Sequence, residues 1–416
     1  MTPVEIYAEL AVATALVLAP GWLVARALGV RSFSASIGWS LALVFGALAV
    51  TFAFGSTLTM TVALLIAAGV VAVAIRFTRG WPAATSVPGR AWAFGWGGLV
   101  GILLWWVAPT VQGDGLFHLA RTRKLLELDD LSLHRVSEFA DGSLHPGYAF
   151  PLWHGFLALI ARVSGNDPEQ VVVHLPSVLA PLADLVSISQ ARRAAGFLPF
   201  VVAFAGGLGV LSKLLGRLLL PLALIAGIAL QFVYPGDFEY VLEDTAPAWI
   251  TWFAVLGAVV ALVVGLVRRR PPLEASAGLA AALFIIPVVA VGLWNWDRRP
   301  SPPLASLSDG LVGAVRESVE AGSIVYSDQE TSYRLAAFAP VYVAVAPPGH
   351  VADTVENRPY ERASDARRFM RTGDLAIPAA YGAQYLVVDR ARLDRVFDLP
   401  VVYEDVRFTL YRLSTG

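Results

Sequence analysis

The sequence predicts a polytopic α-helical membrane protein of about 8–10 transmembrane helices with a C-terminal extracytoplasmic α/β domain. Three observations predict it. The chain of 416 residues is 56% hydrophobic and only 15% charged, with a mean hydropathy of +0.63, so lipid rather than water must solvate much of it. Apolar runs long enough to cross roughly 30 Å of hydrocarbon recur through residues 1–295. From residue 297 polar residues become frequent, and short apolar runs alternate with segments of helical composition.

The clearest runs lie near 5–25, 37–55, 58–75, 91–109, 170–190, 247–267 and 276–295, with weaker ones near 149–163, 196–212 and 218–234. The opening MTPVEIYAEL lacks the basic n-region of a signal peptide, so the first run is expected to be a retained span. Arg26 and Arg31 follow the first run, and Arg76, Arg79 and Arg90 fill the loop after the third; the positive-inside rule assigns both loops to the cytoplasm. The fourth run then travels outward and delivers the loop 110–150 to the extracytoplasmic side, with Trp105 and Trp106 as an aromatic belt. Arg268, Arg269 and Arg270 fix the end of 247–267 inside, so the run 276–295 carries everything after Trp296 outside. The run 149–163 is short, opens at Pro151 and carries Trp153 and His154; read as lying flat at the outer interface, it keeps Arg192 and Arg193 inside. The expected location is the cytoplasmic membrane, multi-pass, with residues 1–295 as the transmembrane domain and 297–416 outside.

In the tail, SIVYSD (323–328), VYVAVA (341–346) and QYLVVDR (384–390) read as buried strands, SYRLAAF and SDARRFM as helices, and FTLYRL (408–413) as an edge strand. Strands alternating with helices imply a small α/β layer with a largely parallel sheet. Neither a GxGxxG nor a Walker A sequence occurs. A net charge of −1 without a basic stripe excludes nucleic acid as a partner. The absence of cysteine removes disulfides, thiolate nucleophiles and Cys-based metal sites together.

The chemistry concentrates in VQGDGLFHLARTRKLLELDDLSLHR, residues 111–135. Asp114, between two glycines and ahead of a helical segment, suits an N-cap. It equally suits a carboxylate held at the membrane face where a ligand can approach the backbone. His118 lies one helical turn on, on the same face. Arg121, Arg123 and Lys124 add cations able to pair with phosphate oxygens, or else to snorkel beside lipid phosphates. A carboxylate base beside such cations can take a proton from an acceptor hydroxyl while a phosphate leaves. Glu127, Asp129 and Asp130 read as a solvated helix end. His118, His134, His145, His154 and His174 cluster in or near the outer loop at spacings that match no zinc template. HPGYAFPLWHG, 145–155, with His145, Tyr148 and His154, offers aromatic faces to sugar or lipid. GDFEYVLEDT, 236–245, with Asp237 and Glu239, is a second acidic patch suited to supply a second carboxylate or a divalent-cation ligand, and equally to the solvation of a short connecting loop.

An outward-running span, an aspartate, an interfacial helix, then PLWHGFLALIARVSG and VVVHLPSVLAPLADLVSISQARRAAG together resemble the first extracytoplasmic loop and next span of the GT-C glycosyltransferase superfamily. That superfamily includes protein O-mannosyltransferases and lipid A aminoarabinose transferases. The resemblance covers roughly residues 110–195 and, more loosely, the tail, where His350, Asn357 and Arg358 in PPGHVADTVENRPYER look like a loop facing the membrane active site. It implies sugar transfer from a polyprenyl-phosphate donor in the outer leaflet to an extracytoplasmic glycan, lipid or protein, with Asp114 as general base, His118 orienting it, and Arg121 or Arg123 near the donor phosphate. Two other readings compete: a lipid-carrier flippase or transporter, motivated by the many spans, and a noncatalytic anchor that presents the 297–416 domain in envelope biogenesis.

Overall fold

The computed structural model describes residues 2–81, 90–107, 113–143, 151–179 and 306–413, with isolated positions besides. Residues 1–186 together with 300–416 form one compact unit, and 187–299 a second. The runs 196–212, 247–267 and 276–295, and the inside placement of Arg268 to Arg270, lie outside the described residues.

Helix α1 (Pro3–Ala27) starts with a capping box, in which Thr2 and Glu5 satisfy each other's backbone N–H groups, and α2 (Phe33–Ala53) and α3 (Leu58–Arg79) open on Ser32 and Thr57 caps. All three are long and apolar enough to cross a membrane; among the described residues no other helix is. They pack around Leu10, Val17, Leu48 and Leu65. Thr61 donates to Thr51 at 2.9 Å across α2 and α3, a bond that gains strength where water is absent. At the Ala27 end, Arg76 donates to the Arg26 carbonyl. Helix α4 (Arg90–Val107) brings Trp105 onto Tyr7 and stacks it on His174.

Helix α5 (Asp114–Glu127) begins one residue earlier than an Asp114 cap requires: the N-cap is Gly113, at φ 54° and ψ −129°, and Asp114 is the first helical residue. α6 (Leu152–Ser164) has 13 residues, roughly 20 Å and too short to cross; α7 (Pro168–Leu179) covers the described part of the 170–190 run. The helix end after α5 is not merely solvated. Asp129, at φ 46°, accepts the Leu58 N–H at the start of α3 and pairs with Arg162 of α6 at 2.7 Å. Leu131 donates to the Ser56 carbonyl, and Asn166 reaches Glu9 near the start of α1. These contacts gather α5, α6 and the α2–α3 turn at the bundle end opposite Arg26 and Arg76.

The C-terminal domain is a three-layer α/β/α sandwich. Helices α8 (Asp309–Ser318), α9 (Gln329–Phe338), α10 (Pro359–Thr372) and α11 (Ala376–Ala380) flank strands β1 (Ile324–Tyr326), β2 (Tyr342–Val343), β3 (Tyr385–Asp389), β4 (Val401–Glu404) and β5 (Phe408–Arg412). The sheet order is β2-β1-β3-β5-β4. The first three strands are parallel, as expected, while β5 runs antiparallel to β3 and to β4. β5 is therefore an inner strand rather than an edge. The outermost strand β4 turns into it through Asp405, whose carboxylate accepts the Arg407 and Phe408 N–H groups. Alternation sorts the faces: Val325, Val387 and Leu410 pack with Leu311 and Leu335, whereas Tyr326, Leu386 and Tyr411 pack with Phe369 and Ile377.

The domain is stitched to the 135–143 segment along its β2 edge, which protects that edge from other strands. Tyr342 donates its hydroxyl to the Arg135 carbonyl and Val343 its N–H to Glu138. Asn357 accepts the Ser143 N–H and donates to the Ser143 and Ala352 carbonyls. A Cβ at Gly142 would stand 2.6 Å from the Asn357 Oδ1, so this approach needs glycine. Arg362, almost fully buried, grips Asp141 through two 2.7 Å bonds, donates to the Ala344 and Asn357 carbonyls, and lies over the Phe139 ring. Removing it leaves two buried carbonyls without a donor. Arg362→Ala is expected to lower stability by about 2–3 kcal/mol, read as an earlier fluorescence melt in detergent, and to open 137–143 to proteolysis. An unchanged melt would show that the two parts hold together without it.

Candidate functional site

The site grows from α5, which lies between the membrane helices and the C-terminal domain. One side packs on α6 and α7 and the other on α9. Leu116, Phe117, Leu119 and Ala120 share a core with Tyr333, Ala336 and Val343. The cations of this helix do not snorkel. Arg121, Arg123 and Lys124 are each at most 1% exposed, so none reaches lipid phosphate at the surface.

Arg123 and Lys124 have acceptors that account for their burial. Arg123 binds Asp167 through both terminal nitrogens at 2.6 and 3.2 Å, Glu127 at 2.9 Å and the Ala337 carbonyl of α9 at 2.8 Å. Asp167 also holds Arg316 of α8 at 3.0 Å. Burial works against the Asp167 carboxylate, but Arg123, the Glu169 amide and Arg316 together outweigh it and hold its pKa below the usual range. Lys124 donates to the Ser137 carbonyl at 2.5 Å and lies 4.7 Å from the Tyr342 ring centroid. Arg121 lies 4.1 Å over the Phe117 ring with Glu138 at 3.6 Å.

His118 and His154 meet. His118 Nδ1 lies 2.9 Å from His154 Nε2, and the rings stack at 5.1 Å, tying α5 to α6. Burial first, then Arg121 and His118, push the His154 imidazole well below the usual histidine range, so it is neutral. One nitrogen of the pair therefore donates to the other, and His154 Nδ1 has no hydrogen-bond partner among the described residues.

The remaining expected residues divide. Asp114 opens α5 one turn before His118. His350 stacks on Tyr333, whose ring joins the core beneath α5. Asn357 is fully buried in the Ser143 junction, and Arg358, at φ 40°, pairs with the exposed Glu361. His145, Tyr148, Asp237 and Glu239 lie outside the described residues. Among the described residues no group of three or more His, Cys, Asp or Glu side chains is placed to hold a metal. Glu138, Asp141 and Asp167 went unread in the sequence because their partners are up to 221 residues away. No protein-family model matches the chain, and no curated protein sequence matches it.

Lys124 makes the burial of these charges measurable. Burial, partly offset by Glu138 and reinforced by Arg121, pushes its ammonium down to about 8 from 10.5. Between those values the unfolded chain keeps a proton that the folded chain has released, so stability from this group rises with pH. The stability difference between wild type and Lys124→Met should therefore move toward wild type by roughly 3 kcal/mol from pH 8 to 10.5. Denaturant titrations across that range read it directly, and a difference independent of pH would place the ammonium in water.

Proposed function

We propose that the chain is a membrane glycosyltransferase, moving a sugar from a polyprenyl-phosphate donor to an extracytoplasmic glycan, lipid or protein, with Asp114 as general base. The observation that carries this reading is the composition of the first two turns of α5. An aspartate opens the helix, His118 one turn on is hydrogen-bonded to His154, and a buried arginine, Arg121, follows beside the pair. In the reaction the acceptor hydroxyl attacks the anomeric carbon while its proton passes to the Asp114 carboxylate. The bond from that carbon to the phosphate oxygen breaks, and polyprenyl phosphate departs with both electrons, inverting the anomeric centre. His118 orients the base, with its own ring steadied by neutral His154. Arg121, buried beside the pair, acts on the developing phosphate charge through its field rather than by contact; Arg123, held by Asp167 and Glu127, positions the C-terminal domain instead.

The proposed location is the cytoplasmic membrane, with the C-terminal domain outside. Supporting it, Arg26, Arg31 and Arg76 gather at one end of the bundle while α5 and the domain gather at the other. A second reading, a noncatalytic anchored module, draws on Arg123 and Asn357, residues expected at a substrate site that are engaged in holding the domain to the bundle.

Sugar transfer from a labelled polyprenyl-phosphate hexose to envelope material separates the two. Asp114→Asn should leave the amount of chain in membranes unchanged and lower transfer by about 10²–10⁴-fold, the usual weight of a general base. Transfer at the wild-type rate would remove Asp114 from the chemistry.

A further inference from the structure

The C-terminal domain contains a cleft that the transferase reading does not use. It has a volume of about 740 Å³, within the range of small-molecule sites, and is lined by Asp328, Glu330, Arg367, Met370, Arg371 and Arg392. Its place follows from the winding of the sheet. The chain leaves β1 through α9 on one face, and reaches β3 through α10 and α11 on the other. After β3 it turns away from α9, carrying Leu393 and Phe397 into the α10 layer. The segments after β1 and β3 thus part to opposite faces. A crevice opens at the carboxyl ends of the two strands, the point where ligands bind in open α/β sheets.

One side-chain oxygen in the crevice has no hydrogen-bond partner among the described residues. Asp328 is 7% exposed. Its Oδ1 accepts the Glu330 and Thr331 N–H groups and pairs with Arg392 at 3.2 Å. Its Oδ2 is buried with no hydrogen-bond partner among the described residues. A buried carboxylate oxygen without a donor is costly, and a ligand hydroxyl at the cleft floor would supply one. Because Asp328 already occupies the first amides of α9, the helix start does not take a phosphate. An anion has a different partner here: Arg367 and Arg371, one turn apart on α10 and both exposed, form no ion pair among the described residues. The named lining includes no aromatic ring to stack a nucleobase; Met370 between the arginines gives an apolar floor.

We propose that this crevice binds an anionic saccharide, with a sugar hydroxyl donating to Asp328 Oδ2, the acid group paired with Arg367 and Arg371, and the ring over Met370. The assignment does not rest on the transferase reading. Its test reads binding rather than transfer.

Calorimetry on the full chain in detergent would use four probes: glucuronate, glucose 1-phosphate, glucose and inorganic phosphate. Both sugar acids should bind, with glucose and phosphate each at least about tenfold weaker because each lacks one arm. Preference for one sugar acid over the other identifies carboxylate or phosphate as the acid group. Arg371→Gln, on an exposed helix face, should weaken the sugar acids about tenfold and leave glucose unchanged. Asp328→Asn, which keeps a capping side chain, should weaken glucose without weakening phosphate, since it also frees Arg392. Equal binding of phosphate and glucose 1-phosphate, untouched by Asp328→Asn, would reduce the site to an anion patch and overturn the proposal. So would the absence of saturable binding by all four.

Discussion

Everything described depends on the burial of three cations on one short helix. α5 holds Arg121, Arg123 and Lys124 out of both water and lipid, which is unfavourable unless each meets acceptors in good geometry. For Arg123 and Lys124 those acceptors come from elsewhere in the chain, Asp167 ahead of α7, the Ser137 carbonyl after α5 and the Ala337 carbonyl from the C-terminal domain, while Arg121 lies over the Phe117 ring with the Glu138 charge at 3.6 Å. The helix can therefore sit where it does only if the bundle and the domain close over it together. Charge burial here acts as an assembly constraint, coupling two parts that could each form a core of their own.

The same logic repeats at the β2 edge. Arg362 and Asn357 leave few donors unused, and they reach Asp141 and the Ser143 carbonyl of the 137–143 segment as well as the domain's own Ala344 and Ala352 carbonyls. A ligand site built on α5 would then be bounded by the domain on one side and by α6 on the other, with His118 and His154 joining the two helices. Rigid support of that kind is what a positioned base requires, since small displacements are expensive in rate. The crevice beyond Asp328 stands on a different support, the divergence of two loops from a parallel sheet.

Much of the fold was legible because its signals are local. Apolar length revealed α1 to α4, and short apolar runs between helical segments located β1, β2, β3 and β5. β4 escaped because VVYE is short and half exposed, and missing it turned β5 into a supposed edge. Helix α8, whose DGLVGAVRES carries few large apolar residues, escaped for a related reason. Asp129 looked like solvated charge because its role, receiving Leu58 and Arg162, links residues 71 and 33 positions away.

By itself the sequence determined which segments are apolar, the grouping of ionisable residues after α4, and the α/β character of the tail, because hydropathy and periodicity are properties of neighbours along the chain. Only the tertiary structure decided which charges are exposed and which are buried. Arg123 and Arg121 look alike in a sequence of arginines, yet one is bound by Asp167 and the other lies beside a histidine pair. The distinction rests on long-range pairing, and a side chain's partners across hundreds of residues are fixed by packing geometry, which no local pattern encodes.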